Sequence, residues 1–158
     1  SIPGTVAEVR KGAEEVASAL RRLYGETGVA ITVDVSDGLL VACDPQDLNE
    51  MLANIVDNAC KHAKSRVRIS CHGPTSDKTY DLHVEDDGKG LPPEAFEVVF
   101  DIGERWDSRE AGSGLGLAIL QDLAQLFGGD IKLQKSSMGG LWVMLKLPAA
   151  DTSDVAGV

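Results

Sequence analysis

The stretch PQDLNEMLANIVDNACKHA, residues 45–63, sorts its side chains onto two sides of a single helix. At 3.6 residues per turn, Asp47, Asn54, Asn58, Lys61 and His62 fall within an arc of about 100°, while Leu48, Leu52, Val56, Ala59 and Ala63 face the other way. One side is core and the other is polar. A solvated helix face would favour Glu and Lys pairs, whereas asparagine is a poor interior helix former. The amide oxygens of Asn54 and Asn58 are hard neutral ligands that suit Mg²⁺, an ion that keeps several waters and takes further oxygens from phosphates. Lys61, one turn on, can meet a phosphate. His62 reads either as a flat ring beside a ligand base or as an ordinary surface histidine. Asp44 as capping oxygen, Pro45 in the first turn and Asp47 near the positive end mark where the helix begins.

Upstream, Val6, Val9, Ala13, Val16, Leu20 and Leu23 recur every three or four residues, which predicts a helix of about five turns covering a sheet. Gly25 and Gly28 end it. VAITVDV and LLVAC then read as short strands around the turn SDG. Downstream, RVRISCHG and TYDLHVE alternate apolar and polar residues on either side of PTSDK, the pattern of an antiparallel hairpin. A sharp loop, DDGKGLPPE, leads to a short helical piece around EAFEVVF and to DIGERWDSREA, which has no clear period and is expected to be mobile. GLGLAILQDLAQLF is the next helix. DIKLQKS and LWVMLKL, joined at SMGG, form a closing hairpin. This order has several antiparallel pairs and no βαβ repeat. It predicts an α+β fold: a two-layer α/β sandwich with a mixed, mostly antiparallel sheet and helices on one face.

Two further stretches carry chemistry. In HVEDDGKGL, strand alternation puts Tyr80, Leu82, Val84 and Asp86 on one face and Asp87 on the other. A carboxylate on the core side is costly unless it is paired or accepts hydrogen bonds. The exocyclic amino group of a purine would supply a donor to Asp86, and nearby backbone N–H groups would serve equally well. Asp87 reads as a turn residue ahead of Gly88. In GSGLGL, residues 112–117, the dinucleotide fingerprint fails because Leu117 stands where its last glycine belongs. A P-loop fails as well, since the only Gly-Lys pair, Gly88 and Lys89, is followed by Gly90. Either the glycines let backbone N–H groups approach an anion at a helix start, or they form a flexible hinge before a packing helix.

Composition narrows the classes. The chain has 158 residues, 43% of them apolar, enough for one domain over residues 1–150 with a disordered tail at 151–158. A formal net charge of −10 argues against nucleic acid and against direct contact with anionic membranes. Cys43, Cys60 and Cys71 show no metal or redox spacing and read as reduced core thiols of a cytosolic setting. Nothing resembles a signal peptide or a spanning helix.

Together, NIVDNACKHA, VEDDGKGL, VVFDIGERW and GSGLGLAI resemble, in order and spacing, the four motifs of the histidine-kinase catalytic domain in the GHKL ATP-binding superfamily. The similarity covers residues 16–148 and is nearest to the PhoQ-type sensor kinases. It implies the Bergerat-type ATP-binding fold, with ATP and Mg²⁺ as cofactors. Carried over by residue, it implies that Asn58, helped by Asn54, holds Mg²⁺, that Lys61 contacts phosphate and that His62 flanks the base. Asp86 would read the adenine amino group, with Gly88, Gly90 and Leu91 closing on it. Gly112, Gly114, Leu115 and Gly116 would border the nucleotide, with Gly112 and Gly114 as a lid hinge and Gly116 as a close-approach point at the helix start. Phe100 would anchor the lid, and Arg105 is a candidate γ-phosphate contact, ranked above Arg109. Gly103 stands where most members carry a second phenylalanine, which leaves the lid anchor looser or of the PhoQ-like kind.

The ATP hydrolases of the superfamily that resemble gyrase carry a glutamate one turn before the metal asparagine. Asn54 occupies that position here, and an amide cannot be a general base. Phosphoryl transfer to a histidine is therefore favoured. None of His62, His72 and His83 has the acidic neighbour expected of that acceptor. The implied partners are a dimerisation and histidine phosphotransfer domain of a parent kinase, and a response regulator. The fragment would be monomeric within a homodimeric parent, on the cytoplasmic side of an inner-membrane sensor. The alternatives are a non-catalytic ATP-binding regulatory module and a water-using GHKL ATPase.

Overall fold

In the computed structural model, residues 5–75, 78–91 and 113–150 are described, the side chains of 113–118 excepted. Strand β1 (Ala7–Glu8) runs into helix α1 (Val9–Leu23), followed by a 3-10 turn at Gly25–Thr27, β2 (Ala30–Val35) and β3 (Leu40–Val41). Helix α2 (Pro45–His62), β4 (Arg66–Cys71), β5 (Thr79–Asp86), α3 (Ser113–Leu126), β6 (Asp130–Lys135) and β7 (Leu141–Pro148) complete the order. Five strands form one sheet in the order β2-β4-β5-β7-β6. Only β2 and β4 run parallel; the other three neighbouring pairs are antiparallel. The mixed, mostly antiparallel α+β sandwich is thus observed. One parallel crossover, from β2 through α2 to β4, stands where the sequence suggested no βαβ repeat.

The register explains the core. Val33, Ile69, Val84, Val143 and Leu133 are partners in turn across all five strands and form one apolar row. The three helices among the described residues pack on the sheet: α1 against β2, α2 against β4 and β5, and α3 against β6 and β7. Helix α2 lies at the centre, also touching α1 and α3, and buries Leu48, Met51, Leu52, Ile55, Val56, Ala59 and Cys60. Its start follows the expected logic, with the Asp44 side chain accepting from the Gln46 N–H at 2.8 Å.

Three local expectations are corrected. Helix α1 spans 15 residues, about four turns, and Val6 precedes it because residues 7–8 are drawn into a strand. Leu23 is exposed, since the helix stops there and the stripe ends with Leu20. LLVAC contributes only Leu40 and Val41 as a strand, paired antiparallel with Ala7 and Glu8 and not with the neighbouring β2. The helical piece expected at EAFEVVF, the segment DIGERWDSREA and the tail at 151–158 lie outside the described residues. No helix among the described residues is long and apolar enough to cross a membrane.

Candidate functional site

The polar side of α2 emerges where the apolar side demands it: burying Ile55, Val56, Ala59 and Cys60 turns Asn54, Lys61 and His62 outward. Asn54 donates its Nδ2 to the Glu50 carbonyl one turn back, at 2.9 Å. The amide nitrogen is thereby committed, and Oδ1 is the atom left to ligate a cation. Asn58 is half-buried one turn on. Beside it, Asp57 divides its two oxygens: Oδ1 accepts from the Tyr24 hydroxyl at 2.5 Å, and Oδ2 stands 3.5 Å from Lys61 Nζ. Burial, reinforced by the hydrogen bond to Asp57 and its charge, holds the Tyr24 hydroxyl well above its usual pKa. Asp57 and Tyr24 escaped the sequence reading. The adjacency of Asp57 to Asn58 and its i,i+4 spacing to Lys61 are the only hints the sequence offered.

Strand β5 delivers Asp86 on its buried face, as alternation requires, and the residue is 3% exposed. Its Oδ1 accepts from the N–H of Gly88 at 2.8 Å and from that of Leu141 at 3.4 Å. Burial pushes the Asp86 carboxyl above its ordinary value, while the two backbone donors and the neighbouring His62 pull the other way. Gly88 lies against the end of α2. A Cβ there would overlap the His62 carbonyl oxygen and stand 3.0 Å from Asp86 Oδ1. Gly90, with a φ of 74°, follows beside Gly139 and Gly140, and Leu91 packs on the core cluster. The end of α2 thus meets the end of β5 at His62, whose carbonyl oxygen lies against Gly88 and whose ring neighbours Asp86.

Asp87 does more than turn the chain. Its Oδ1 accepts from the N–H groups of Lys64, Ser65 and Arg66 at 2.9, 3.0 and 3.1 Å, and its Oδ2 accepts from Ser65 Oγ at 2.7 Å. Burial opposes its ionisation, but the donors of Ser65, Arg66 and Lys64 together outweigh it and hold the carboxyl well below the usual range. Asp87 therefore fastens the link between α2 and β4 to the loop that carries the site.

The glycine stretch is placed in part differently from expectation. Helix α3 begins at Ser113, so Gly114, expected in a hinge ahead of the helix, belongs to its first turn with Leu115 and Gly116, the last of which was expected at the helix start. The apolar spacing of LAILQDLAQL propagates the helix back through them, against a cost of about 1 kcal/mol per glycine. Gly112, Phe100, Gly103, Arg105 and Arg109 lie outside the described residues. Among the described residues no group of three or more His, Cys, Asp or Glu gathers as a metal centre. A divalent cation here would rest on amide oxygens and on the oxygens of its ligand. Cys43, Cys60 and Cys71 are free and buried; burial pushes their thiols up to about 12, 11 and 11. As thiols with little thiolate character they belong to the core.

The sequence model of the family described as "Histidine kinase-, DNA gyrase B-, and HSP90-like ATPase" matches residues 43–151, which include both halves of this site. The chain belongs to this ATPase family. Among its relatives within the family, Sensor protein kinase CarS of Pseudomonas aeruginosa is 35% identical over 148 residues, covering 94% of this chain and 33% of CarS. Sensor protein PhoQ of Escherichia coli is 36% identical over 127 residues, covering 80% of this chain and 26% of PhoQ. The chain therefore spans about a third or less of these sensor kinases. The ATP binding domain of PrrB from Mycobacterium tuberculosis superposes with a TM-score of 0.76 at 26% identity, covering 93% of this chain and 98% of that one. The homologues of this ATPase-family chain are thus sensor histidine kinases, and its fold is that of their ATP-binding domains.

Proposed function

We propose that this chain binds ATP with Mg²⁺ and is the catalytic domain of a sensor histidine kinase. It passes the γ-phosphoryl group to a histidine on the dimerisation and phosphotransfer domain of its parent protein, for relay to a response regulator. The observation that carries this reading is the buried Asp86 carboxylate, which has one oxygen on backbone donors and stands beside the loop that packs on His62 at the end of α2, in a chain of this ATPase family. A buried carboxylate is costly in the free protein and suits a ligand that brings its own donor, such as the adenine amino group.

The residues present fit the expected ligands. Asn54, through Oδ1, and Asn58 supply neutral oxygens for Mg²⁺, and Lys61 supplies a cation for a phosphate. The metal would neutralise charge on the phosphate oxygens. Transfer moves the γ-phosphorus from the β,γ-bridging oxygen to a ring nitrogen of the acceptor, and ADP leaves. The amide of Asn54, one turn before Asn58, cannot take a proton from water, which favours that acceptor over hydrolysis. In the reading extended to the parent, the domain works at the cytoplasmic side of a membrane sensor that is a homodimer, and Arg105 and the stretch from Gly112 to Gly116 act on the phosphates.

The test adds a phosphoacceptor-helix domain of the parent and γ-labelled ATP to this chain. Acid-labile, base-stable label on the acceptor histidine is expected. ATP binding without transfer would support a regulatory module instead, and steady phosphate release by this chain alone would support a water-using ATPase.

A further inference from the structure

The connection between β6 and β7, read in the sequence only as a hairpin joint, is tied to the end of β5 by three hydrogen bonds. Ser136 is a buried polar residue, 2% exposed. Its Oγ donates to Glu85 Oε2 at 2.6 Å and accepts from the Met138 N–H at 3.0 Å. Its own N–H donates to the Gly140 carbonyl at 2.8 Å, which closes the turn. The Gly140 N–H donates to the Asp86 carbonyl at 3.1 Å, and the Leu141 N–H reaches Asp86 Oδ1. The turn is thus fastened to both of the last two residues of β5.

Gly140 is the point of closest approach. A Cβ there would overlap Asp86 Oδ1 and stand 2.5 Å from the Asp86 carbonyl oxygen and 2.7 Å from the Gly88 nitrogen. No side chain fits without moving the carboxylate or the Gly88 N–H that holds it.

We infer that the turn at residues 136–141 is a positioning element of the base site: Ser136 and Gly140 fix the direction of the Asp86 carboxylate, committing Oδ1 to the protein and leaving Oδ2 for the 6-amino group of the base. This rests on the reading of Asp86 as the base contact. The consequence is chemical selectivity. A purine without a 6-amino group offers Oδ2 no donor, and guanine places a carbonyl oxygen there, which a carboxylate repels. A correctly aimed carboxylate rewards the amino group, and one that can swing away does not.

The test compares ATP with purine riboside triphosphate, which differs only in lacking the 6-amino group, by isothermal titration with Mg²⁺ present. Wild type, Asp86→Asn, Ser136→Ala and Gly140→Ala are each first checked for folding by circular dichroism and thermal melting. The wild type should prefer ATP by a factor on the order of ten or more, the worth of one hydrogen bond to a charged group. Ser136→Ala and Gly140→Ala should lose most of that preference, and in Ser136→Ala the affinity for the deaminated analogue should stay unchanged within about twofold, because its contacts do not pass through Asp86. A purely structural role would lower both affinities together and leave the ratio intact, which overturns the inference. A preference lost in Asp86→Asn but kept in Ser136→Ala overturns the role of the turn alone. No preference in the wild type, with Asp86→Asn binding ATP equally well, overturns the base reading itself. Should Gly140→Ala not fold, Ser136→Ala decides, since it removes only a hydroxyl.

Discussion

Gly88 lies so close to the carbonyl oxygen of His62 that a side chain cannot stand between them. This contact joins the end of α2 to the loop after β5, and so joins the residues assigned to phosphate and metal to the residue assigned to the base.

Gly88→Ala should separate the two. The methyl group would overlap backbone, which cannot yield as a flexible side chain can, so the loop must move away from α2. ATP affinity is expected to fall at least tenfold with most of the thermal stability retained, as read by titration and by melting of the same sample. Unchanged ATP affinity in a folded variant would show that the two halves need not be in register.

Asp87→Ala removes one carboxylate that serves four donors, leaving the N–H groups of Lys64, Ser65 and Arg66 to find water. A loss on the order of 2 kcal/mol at neutral pH is expected in denaturant unfolding. Because its folded pKa is depressed, Asp87 contributes stability above the unfolded carboxyl value of about 3.9 and loses it as pH falls below that value. The variant should therefore show a flatter stability profile in the acid range than the parent chain.

Asp86 has the opposite sign. Its folded pKa is raised, chiefly by burial, so the native state holds the proton more tightly than the unfolded chain. Stability falls as pH rises from about 3.9 through the raised value, and the full cost is present above it. Asp86→Asn should be at least as stable as the wild type at pH 7 while binding ATP more weakly. Unfolding curves at pH 4 and pH 7 check this, and a variant destabilised more at pH 7 than at pH 4 would contradict it.

The sequence made some of this readable and hid the rest for identifiable reasons. Helix α2 was legible because its period, the Asp44 cap and Pro45 all agree, and β5 because alternation carried Asp86 to the buried face. The pairing of β3 with β1 was not, because two-residue strands have no period. Neither were the roles of Asp87 and Ser136, whose partners lie 21 to 23 and 51 residues away along the chain. Long-range hydrogen bonds leave no local pattern. The glycines of GSGLGL were ambiguous for another reason, since their backbone freedom is compatible with a hinge and with the helical turn that Gly114 and Gly116 adopt.

Tyr24→Phe tests whether Asp57 is held in place from the residue that ends α1. The change keeps the ring and deletes a 2.5 Å hydrogen bond to Asp57 Oδ1. A stability loss of about 1 kcal/mol is expected from thermal melting. Asp57, freed of Tyr24, should pair more fully with Lys61, so that ATP loses more affinity than adenosine does. Equal losses for the two ligands would remove Asp57 from any influence on Lys61.

The most direct test of the ATP site is isothermal titration of ATP into the wild type, Asp86→Asn and Asn58→Asp, with and without Mg²⁺. Mg²⁺-dependent binding is expected of the wild type, weaker binding of Asp86→Asn under both conditions, and disruption of the Mg²⁺-dependent part in Asn58→Asp. Equal affinities for all three proteins, with no response to Mg²⁺, would contradict that site assignment.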